Sequence, residues 1–401
     1  MNPAERSLSA NLDLLRAIAV VLVLAQHLAR RMYVESFAGM PTSSWGVFGV
    51  LLFFVHTCLV LMYSMERSRL TGWPLLTNFA TRRIFRIYPL SILAVLTALG
   101  LHLDSDINGI RGLSHGQFPG IVSAASNLLL VQNLTEVKSI VNVLWSLPFE
   151  LQMYAFLPFL FLWIRRSSAS RARRNMVWPI LALWVASVGM AMAQPHVPHL
   201  GRLSILLFLP NFLPGVLAYA LPHRPRIASA LWPVFILLLV VAYAIRPILS
   251  TGWFLCLILG SMIPSFHEIQ LPWLRWISNR IATYSYGIYL SHQFAIWTAF
   301  GVLASHSLAV KIPVLIVMLV ALPVLLYHAI EKPMIGVGVG LAGRFPPASA
   351  ERPSLVATPA QIPSIAPASK TAAASIGEVG LAEEAAPQRI VASDSLLQSD
   401  F

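Results

Sequence analysis

Long apolar segments alternate with short polar ones through the first 335 residues of the chain. An α-helix needs about 20 predominantly apolar residues to cross a bilayer. By that measure the hydrophobic pattern predicts about ten transmembrane helices, near 12–30, 46–64, 87–103, 144–164, 176–194, 203–221, 228–245, 249–265, 281–301 and 311–330. We therefore expect an all-α polytopic membrane protein.

The stretch from 104 to 143 departs from this pattern. It begins with Asp104, Asp106 and several glycines, and its apolar piece, IVSAASNLLLVQNL, is short and polar for a crossing. We expect an outward loop that carries an interfacial or re-entrant helix.

The composition changes again after residue 335, where Gly, Ala, Pro and Ser replace the long apolar runs. Such a segment buries too little apolar surface to offset the entropy lost on ordering it. We therefore expect a transmembrane domain over 1–335 and a disordered C-terminal tail over 336–401.

Basic residues lie mainly on one side of the predicted spans. The chain has 28 Lys and Arg against 16 Asp and Glu, yet 57% of its residues are hydrophobic and only 11% are charged. Arginines such as Arg67, Arg165 and Arg224 fall between spans on the side shared by both termini, as the positive-inside rule expects of cytoplasmic loops. This distribution favours cytoplasmic termini. It does not suggest a nucleic-acid partner, because the basic residues lie between apolar segments and do not form a soluble patch.

The chain has two cysteines, Cys58 and Cys256, and both lie in apolar stretches. This usage predicts neither a disulfide framework nor a bound metal.

Arg16 and His27 are the most informative residues of the first span. Eleven residues apart, they share one helix face and lie about 16 Å apart along the axis. An ionisable side chain within a membrane costs roughly 2.5 to 3.5 kcal/mol on insertion scales and usually faces a functional cavity. Plainer explanations stay open: Asp13 can pair with Arg16 across one turn, and His27 can reach the outer interface beside Arg30 and Arg31.

Glycines at 46 and 49 in the second span allow a neighbouring helix to approach closely. His56 lies near the middle of the same span and would then face the packed interior. There a structural role is favoured over a catalytic one.

Arg82, Arg83 and Arg86 cluster just ahead of Tyr88 and Pro89, where the third span is predicted to begin. Guanidinium groups bind phosphates bidentately, so the cluster is a candidate phosphate site. Cytoplasmic topology alone also accounts for such a cluster.

The start of the fourth span carries four residues of interest, Trp145, Ser146, Glu150 and Tyr154. A carboxylate within the membrane either takes up a proton or is held ionised by a cation. Arg16 or a protonated His27 is a natural partner for Glu150, and a purely structural ion pair is the alternative.

The last two spans add further polar residues. Ser285 and His292 share a face of the ninth span, with Tyr289 beside them, and Glu331 ends the tenth span on the cytoplasmic side. The carboxylate of Glu331 is expected to neutralise an arginine of the cluster at 82–86, as a structural pair.

These motifs together resemble the membrane-bound acyltransferase 3 family over residues from about 11 to 335. Its hallmark, a basic residue and a histidine separated by ten residues in the first helix, is matched by Arg16 and His27 in LDLLRAIAVVLVLAQH. Other family motifs resemble RRIFRIYP, WSLPFE, SYGIYLSH and EKP, in the family's order. One departure is FFVHTC, since many members have Ser-Gly-aromatic after the paired phenylalanines. A second is the tail, which lacks the hydrolase-like domain that some members append.

The resemblance implies transfer of an acyl group, most often acetyl, from cytoplasmic acyl-CoA to a carbohydrate hydroxyl reached from the opposite side of the membrane. Acyl-CoA is then a donor substrate, no cofactor is tightly bound, and the acceptor is a carbohydrate or a lipid-linked sugar. The expected location is the cytoplasmic (inner) membrane, with multiple passes.

In this interpretation the catalytic residues are His27, Arg16 and Glu150. Neutral His27 takes the acceptor's proton, since an unperturbed histidine titrates near pH 6.5. Glu150 orients His27 or stabilises its imidazolium, and Arg16 or another donor stabilises the oxyanion. A covalent acyl-enzyme through Ser146 or His27 stays open.

The remaining candidates fall into two groups. The substrate-binding candidates are Arg82, Arg83, Arg86, Trp145, Ser146, Tyr154 and His292. The supporting residues are Asp13, Tyr289 and Glu331. A proton-coupled transporter is the main alternative function, because intramembrane Arg, His and Glu also serve transport; a membrane scaffold would leave these groups unexplained.

Overall fold

The computed structural model describes residues 9–106, 109–112, 119–166, 175–196 and 204–344. The predicted tail from 345 onward lies outside these residues, so its predicted disorder stays a prediction. The described helices belong to one compact unit.

The described elements are almost all helices. The first half of the chain forms α1 (Ala10–Arg31), α2 (Ser43–Ser68), α3 (Gly72–Gly100), α4 (Ile121–Leu128) and α5 (Leu147–Arg166), the last preceded by a 3-10 turn at Asn142–Ser146. The second half forms α6 (Val177–Ala193), α7 (Ile205–Ala220), α8 (Leu231–Ile245), α9 (Leu249–Met262), α10 (Pro272–Trp297), α11 (Leu308–Leu326) and α12 (Lys332–Ala342). Short 3-10 turns follow α6 at Gln194–His196 and α9 at Ile263–Ser265. π-helical segments at Thr298–Val302 and Tyr327–Glu331 follow α10 and α11.

Two short antiparallel hairpins lie in connections between helices. Strands β1 (Ser36–Phe37) and β2 (Met40–Pro41) pair between α1 and α2, and β3 (Leu103–Asp106) pairs with β4 (Gly109–Gly112) after α3. Each predicted span coincides with a helix, and α4 forms where the sequence predicts a short helix in the long loop. The all-α class is therefore confirmed.

Several helices extend beyond the predicted span ends, and in two of them the extension involves candidate site residues. The third begins at Gly72, well before the predicted start near 87, so Arg82, Arg83 and Arg86 lie inside it. The cluster therefore does not precede the third helix, whose early part the hydropathy pattern misses because the arginine charges lower the local hydropathy. At the other end of the chain, Glu331 does not end the last span, since α12 follows directly and reaches Ala342.

The first helix is anchored at its start by a buried polar cluster. Ser9 caps α1 by accepting a hydrogen bond from the Leu12 amide, and it donates to Glu268 Oε1 at 2.6 Å. Asn11 is buried and bonds on both sides: its Nδ2 donates to the His267 carbonyl at 3.0 Å, and its Oδ1 accepts from the Ile269 amide at 3.1 Å. This network fixes α1 against the segment that leads into α10.

Close approach of α1 and α2 depends on glycine, as the sequence predicts. A Cβ atom at Gly49 would lie 2.7 Å from the carbonyl oxygen of Ala19. The contact makes α1 and α2 antiparallel neighbours, and α3 starts where α2 ends. Asn78 near the start of α3 donates to the Ala342 carbonyl at 3.2 Å. The described chain therefore begins and ends at the same end of the helix bundle.

The outer surface of the bundle is apolar. Large side chains within the helices, such as Leu237, Val320 and Leu325, are 60%, 63% and 63% exposed. Among the described residues, five helices are long and apolar enough to cross a membrane, and four shorter ones are also apolar. Lipid is the environment in which such a surface is stable. The protein is a multi-pass membrane protein.

Exposed tryptophans mark one end of the bundle. Trp73, Trp178, Trp273 and Trp276 lie at the starts of α3, α6 and α10 and are exposed. Tryptophan is enriched at membrane–water interfaces. These residues place that interface at the end of the bundle that carries Ala10 and Ala342.

Candidate active site

Five helices and the 3-10 turn before α5 enclose a cavity of about 100 Å³. Its polar lining comes from α1, α2, α3, α5, α10 and the turn: Arg16, His56, Thr57, Arg83, Arg86, Ser146, Glu150, Tyr154, Ser285, Tyr286 and Tyr289. Its apolar wall comes mainly from Val50, Phe53, Val60 and Leu61 of α2. The structure thus brings together residues from sequence motifs that lie far apart in the chain.

The cavity lies deep in the helix bundle. Arg83 lies about 16 Å along α3 from the start of that helix, and Glu150 lies about 24 Å before the end of α5. The hydrocarbon core of a bilayer is about 30 Å thick. Arg83 and Arg86 therefore lie well inside the helix bundle, and their position relative to the cytoplasmic face stays a prediction.

Positive charge exceeds negative charge around this cavity. Arg86 forms an ion pair with Glu331 at 3.4 Å, and that carboxylate has no solvent exposure. The predicted pairing of Glu331 with the arginine cluster is therefore seen. The Nε atoms of Arg16 and Arg83 are buried and have no hydrogen-bond partner. Two guanidinium groups thus have hydrogen-bonding capacity to offer an anionic ligand.

Glu150 is the carboxylate inside the cavity. The hydroxyl of Tyr154, one turn along α5, donates to Glu150 Oε2 at 2.6 Å. The Tyr154 ring packs edge-on against Phe79 of α3, with ring centroids 6.2 Å apart. This arrangement holds Glu150 among Arg16, Arg83 and Arg86, so Arg16 and not His27 is the predicted partner that shares its cavity.

Ser146 and Tyr289 link α5 and α10 at the outward end of the cavity. The Tyr289 hydroxyl donates to the Val143 carbonyl at 2.6 Å, and the Ser146 hydroxyl lies 2.9 Å from the Tyr289 oxygen. Since the Tyr289 proton is used by Val143, Ser146 is the donor in the second bond. Its proton is directed at a tyrosine and not at a base, unlike that of an activated serine nucleophile.

His27 does not line this cavity. Its ring instead lies against the ring of His292 on α10, with centroids 5.1 Å apart. His292 is buried and lies one turn outward of Tyr289 along the same helix, with ring centroids 6.4 Å apart. The ring beside His27 is therefore that of His292, while Glu150 lines the cavity with Arg16; that Glu150 orients His27 stays a prediction.

The other predicted residues lie outside the cavity lining. Trp145 packs in an aromatic cluster against Phe149 and Phe208, with centroid distances of 6.1 and 5.7 Å. Arg82 is on α3 beside Arg83 but on a different face. Asp13 Oδ2 accepts a hydrogen bond from Asn279 Nδ2 at 3.0 Å, which ties α1 to α10.

His56 and Tyr286 are cavity residues to which sequence reasoning assigned no chemistry. His56 was expected to be structural, and it is buried, but it lines the cavity. Tyr286 lines it beside Ser285 and donates to the Ile87 carbonyl at 2.7 Å. One signal pointed to His56: in an antiparallel pair of helices, the middle of α2 lies opposite the early part of α1, where Arg16 is.

Within the described residues, no group of three or more His, Cys, Asp and Glu side chains is placed to hold a metal ion. The polar chemistry of the site is that of arginines, carboxylates, histidines and hydroxyls.

Comparison with known proteins identifies one related group. The family model for the acyltransferase domain of the acyltransferase 3 type matches residues 9–328. The match runs from the start of α1 to the end of α11 and includes the cavity and the His27–His292 pair. No curated protein and no solved structure matches the chain.

Proposed function

Because the chain belongs to the membrane-bound acyltransferase 3 family, we propose that it is an O-acyltransferase that moves an acyl group, most simply acetyl, from cytoplasmic acyl-CoA to a hydroxyl of a carbohydrate or glycolipid. One observation carries the proposal beyond family membership. It is the cavity inside the helix bundle in which the buried Nε atoms of Arg16 and Arg83 have no hydrogen-bond partner.

The cavity suits an anionic donor. Arg16, Arg83 and Arg86 bring three positive charges, against two negative charges from Glu150 and Glu331. A buried surplus of charge is stable when a ligand balances it. Phosphate groups of acyl-CoA supply that balance and match the forked geometry of guanidinium.

Arg16 has a different role from the one expected of an oxyanion donor. It lies about 16 Å from His27 along α1, whereas an oxyanion donor must come within about 3 Å of the reacting carbonyl. We assign Arg16 to donor binding with Arg83 and Arg86. The acyl thioester then lies farther out, toward His27.

Direct transfer fits the site better than a covalent serine intermediate. Neutral His27 takes the proton of the acceptor hydroxyl while the oxygen attacks the thioester carbonyl. The tetrahedral intermediate collapses, the carbon–sulfur bond breaks, and the proton returns to the CoA thiolate. Ser146 is poorly placed to form an acyl-enzyme, because its proton is bonded to Tyr289.

The acceptor is proposed to enter from the end of the bundle opposite the chain termini. His27 lies near that end of α1 and is only partly buried, so an acceptor can approach it from outside. With cytoplasmic termini in an inner membrane, the substrate would be a surface or exported polysaccharide, or its lipid-linked precursor.

An assay of purified protein with labelled acetyl-CoA and a glycan acceptor tests this function. We expect ester formation together with free CoA, and loss of both in His27→Ala. Full activity in that variant would remove the central residue of the mechanism. Transport of a sugar into proteoliposomes without consumption of acyl-CoA would instead support a transporter.

A deletion strain would identify the acceptor. Structural analysis of its glycans should reveal one missing ester, and the sugar that lacks it is the substrate.

A further inference from the structure

His292 has a buried nitrogen for which the described residues provide no partner. Its Nδ1 lies 2.9 Å from the carbonyl oxygen of Ile288, one turn earlier on α10. Its Nε2 is buried without a hydrogen-bond partner, and the residue is 1% exposed. An unsatisfied buried polar atom costs about 1 to 3 kcal/mol, so its presence calls for an explanation.

The carbonyl of Ile288 fixes the tautomer of His292. A carbonyl oxygen only accepts hydrogen bonds, so Nδ1 must carry the proton that joins them. In the neutral ring Nε2 is then a proton acceptor. A histidine whose Nδ1–H is held by an oxygen and whose Nε2 is open is prepared to receive a proton.

The ring beside this acceptor is His27. The two centroids are 5.1 Å apart and the rings are tilted by 46°. At that centroid separation, nitrogens directed at each other come within roughly 3 Å, the normal range for an N–H···N bond. The separation of the two rings therefore allows a hydrogen bond between His27 and His292 Nε2.

We propose that His292 is the proton-relay partner of His27 in acyl transfer. The inference rests on the proposed function. One nitrogen of His27 takes the acceptor's hydroxyl proton while its other N–H passes a proton to His292 Nε2, which becomes an imidazolium. When the carbon–sulfur bond breaks, the protons move back along the same path and the CoA thiolate leaves as a thiol.

The surroundings of the pair suit such a relay. On α1 the charge of Arg30 acts on His27, and the guanidinium of Arg31 donates to the Phe300 carbonyl. On α10 the neighbouring titratable group is Tyr289. Ala299 of the π-helical segment after α10 and Leu315 of α11 belong to an apolar cluster near the pair. The apolar side chains on this side of the pair offer the proton no acceptor, so it is exchanged between the two rings.

The relay can be tested in the unmodified protein. The rate of acetyl transfer is measured in mixtures of light and heavy water. If two protons move in the transition state, the plot of kcat against deuterium fraction curves downward. A linear plot, which indicates a single moving proton, would overturn the proposal.

Variants provide the second test. His292→Gln keeps a polar side chain that cannot relay a proton. We expect kcat to fall about 100-fold in this variant, while the KM for acetyl-CoA stays within about twofold of its unmodified value. The plot of kcat against deuterium fraction should become linear. His306→Gln, an exposed histidine in the outer connection, is the matched control and should behave as the unmodified protein. Unmodified kcat and plot shape in His292→Gln would refute the relay. If the unmodified protein consumes no acetyl-CoA, the proposed function itself has failed.

Discussion

The arginines of this site are chemically alike but sit in different surroundings. Arg86 has a carboxylate partner in Glu331, whereas Arg16 and Arg83 line the cavity with buried Nε atoms that lack a partner. A buried guanidinium nitrogen without a hydrogen-bond partner destabilises the protein unless a ligand compensates for it. We therefore expect Arg16 and Arg83 to contribute most to the binding of an anion.

Arg83 and its sequence neighbour Arg82 provide a matched comparison. A charge-assisted hydrogen bond contributes about 1.5 to 3 kcal/mol, so Arg83→Gln should raise the dissociation constant for acyl-CoA about 10- to 100-fold. Arg82→Gln removes the same charge outside the cavity lining and should have a much smaller effect. Titration calorimetry on the purified protein measures both constants. Equal weakening in the two variants would show that only overall charge matters.

The Arg86–Glu331 pair should behave as a structural pair. Glu331→Gln leaves Arg86 with an uncompensated charge, which costs up to about 3 kcal/mol because Arg86 keeps some exposure. We expect a lower melting temperature in detergent. The double variant Arg86→Gln, Glu331→Gln should recover much of the loss, since no charge is left unpaired. If the loss of stability in the double variant equalled the sum of the losses in Glu331→Gln and Arg86→Gln, direct pairing would be contradicted.

At the scale of elements, helix continuity places the charged residues. The sequence predicts that Arg82, Arg83 and Arg86 lie outside the third span, because hydropathy averages over all faces of a helix. In the structure α3 continues through them, and only Arg83 and Arg86 face the cavity. A π-helical segment ending at Glu331 then shifts the phase of the last helix at the point where its carboxylate meets Arg86.

Small residues set how closely these helices pack. A Cβ at Gly215 of α7 would collide with the Val55 carbonyl of α2, next to the cavity wall. Gly215→Ala should therefore reduce stability by about 1 to 3 kcal/mol through overpacking, seen as a lower melting temperature. Gly189→Ala in α6 is the control, because a Cβ there meets nothing within 4 Å. Similar melting temperatures for the two variants would mean that α2 and α7 pack less tightly than in the structure.

At the scale of the whole molecule, the sequence predicted the helices and the identity of most site residues but not their depth. Arg16, Glu150 and Tyr154 could be named because polar groups in apolar spans stand out. The partner of His27 could not be predicted, since it depends on the register of α1 against α10, which the Asp13–Asn279 bond helps to set. Local patterns carry no information about such contacts between distant segments.

The orientation of the bundle decides whether donor and acceptor approach from opposite sides, and single cysteines can report it. The native Cys58 and Cys256 have no solvent exposure, so they should not react with a maleimide. Ser36 is exposed on β1, and His223 is exposed between α7 and α8 at the opposite end of the bundle. With cytoplasmic termini, a membrane-impermeant maleimide should label Ser36→Cys in intact cells and His223→Cys only after the membrane is opened. The reverse pattern would put the arginine-lined cavity nearer the outer surface, out of reach of cytoplasmic acyl-CoA, and the proposed direction of transfer would be wrong.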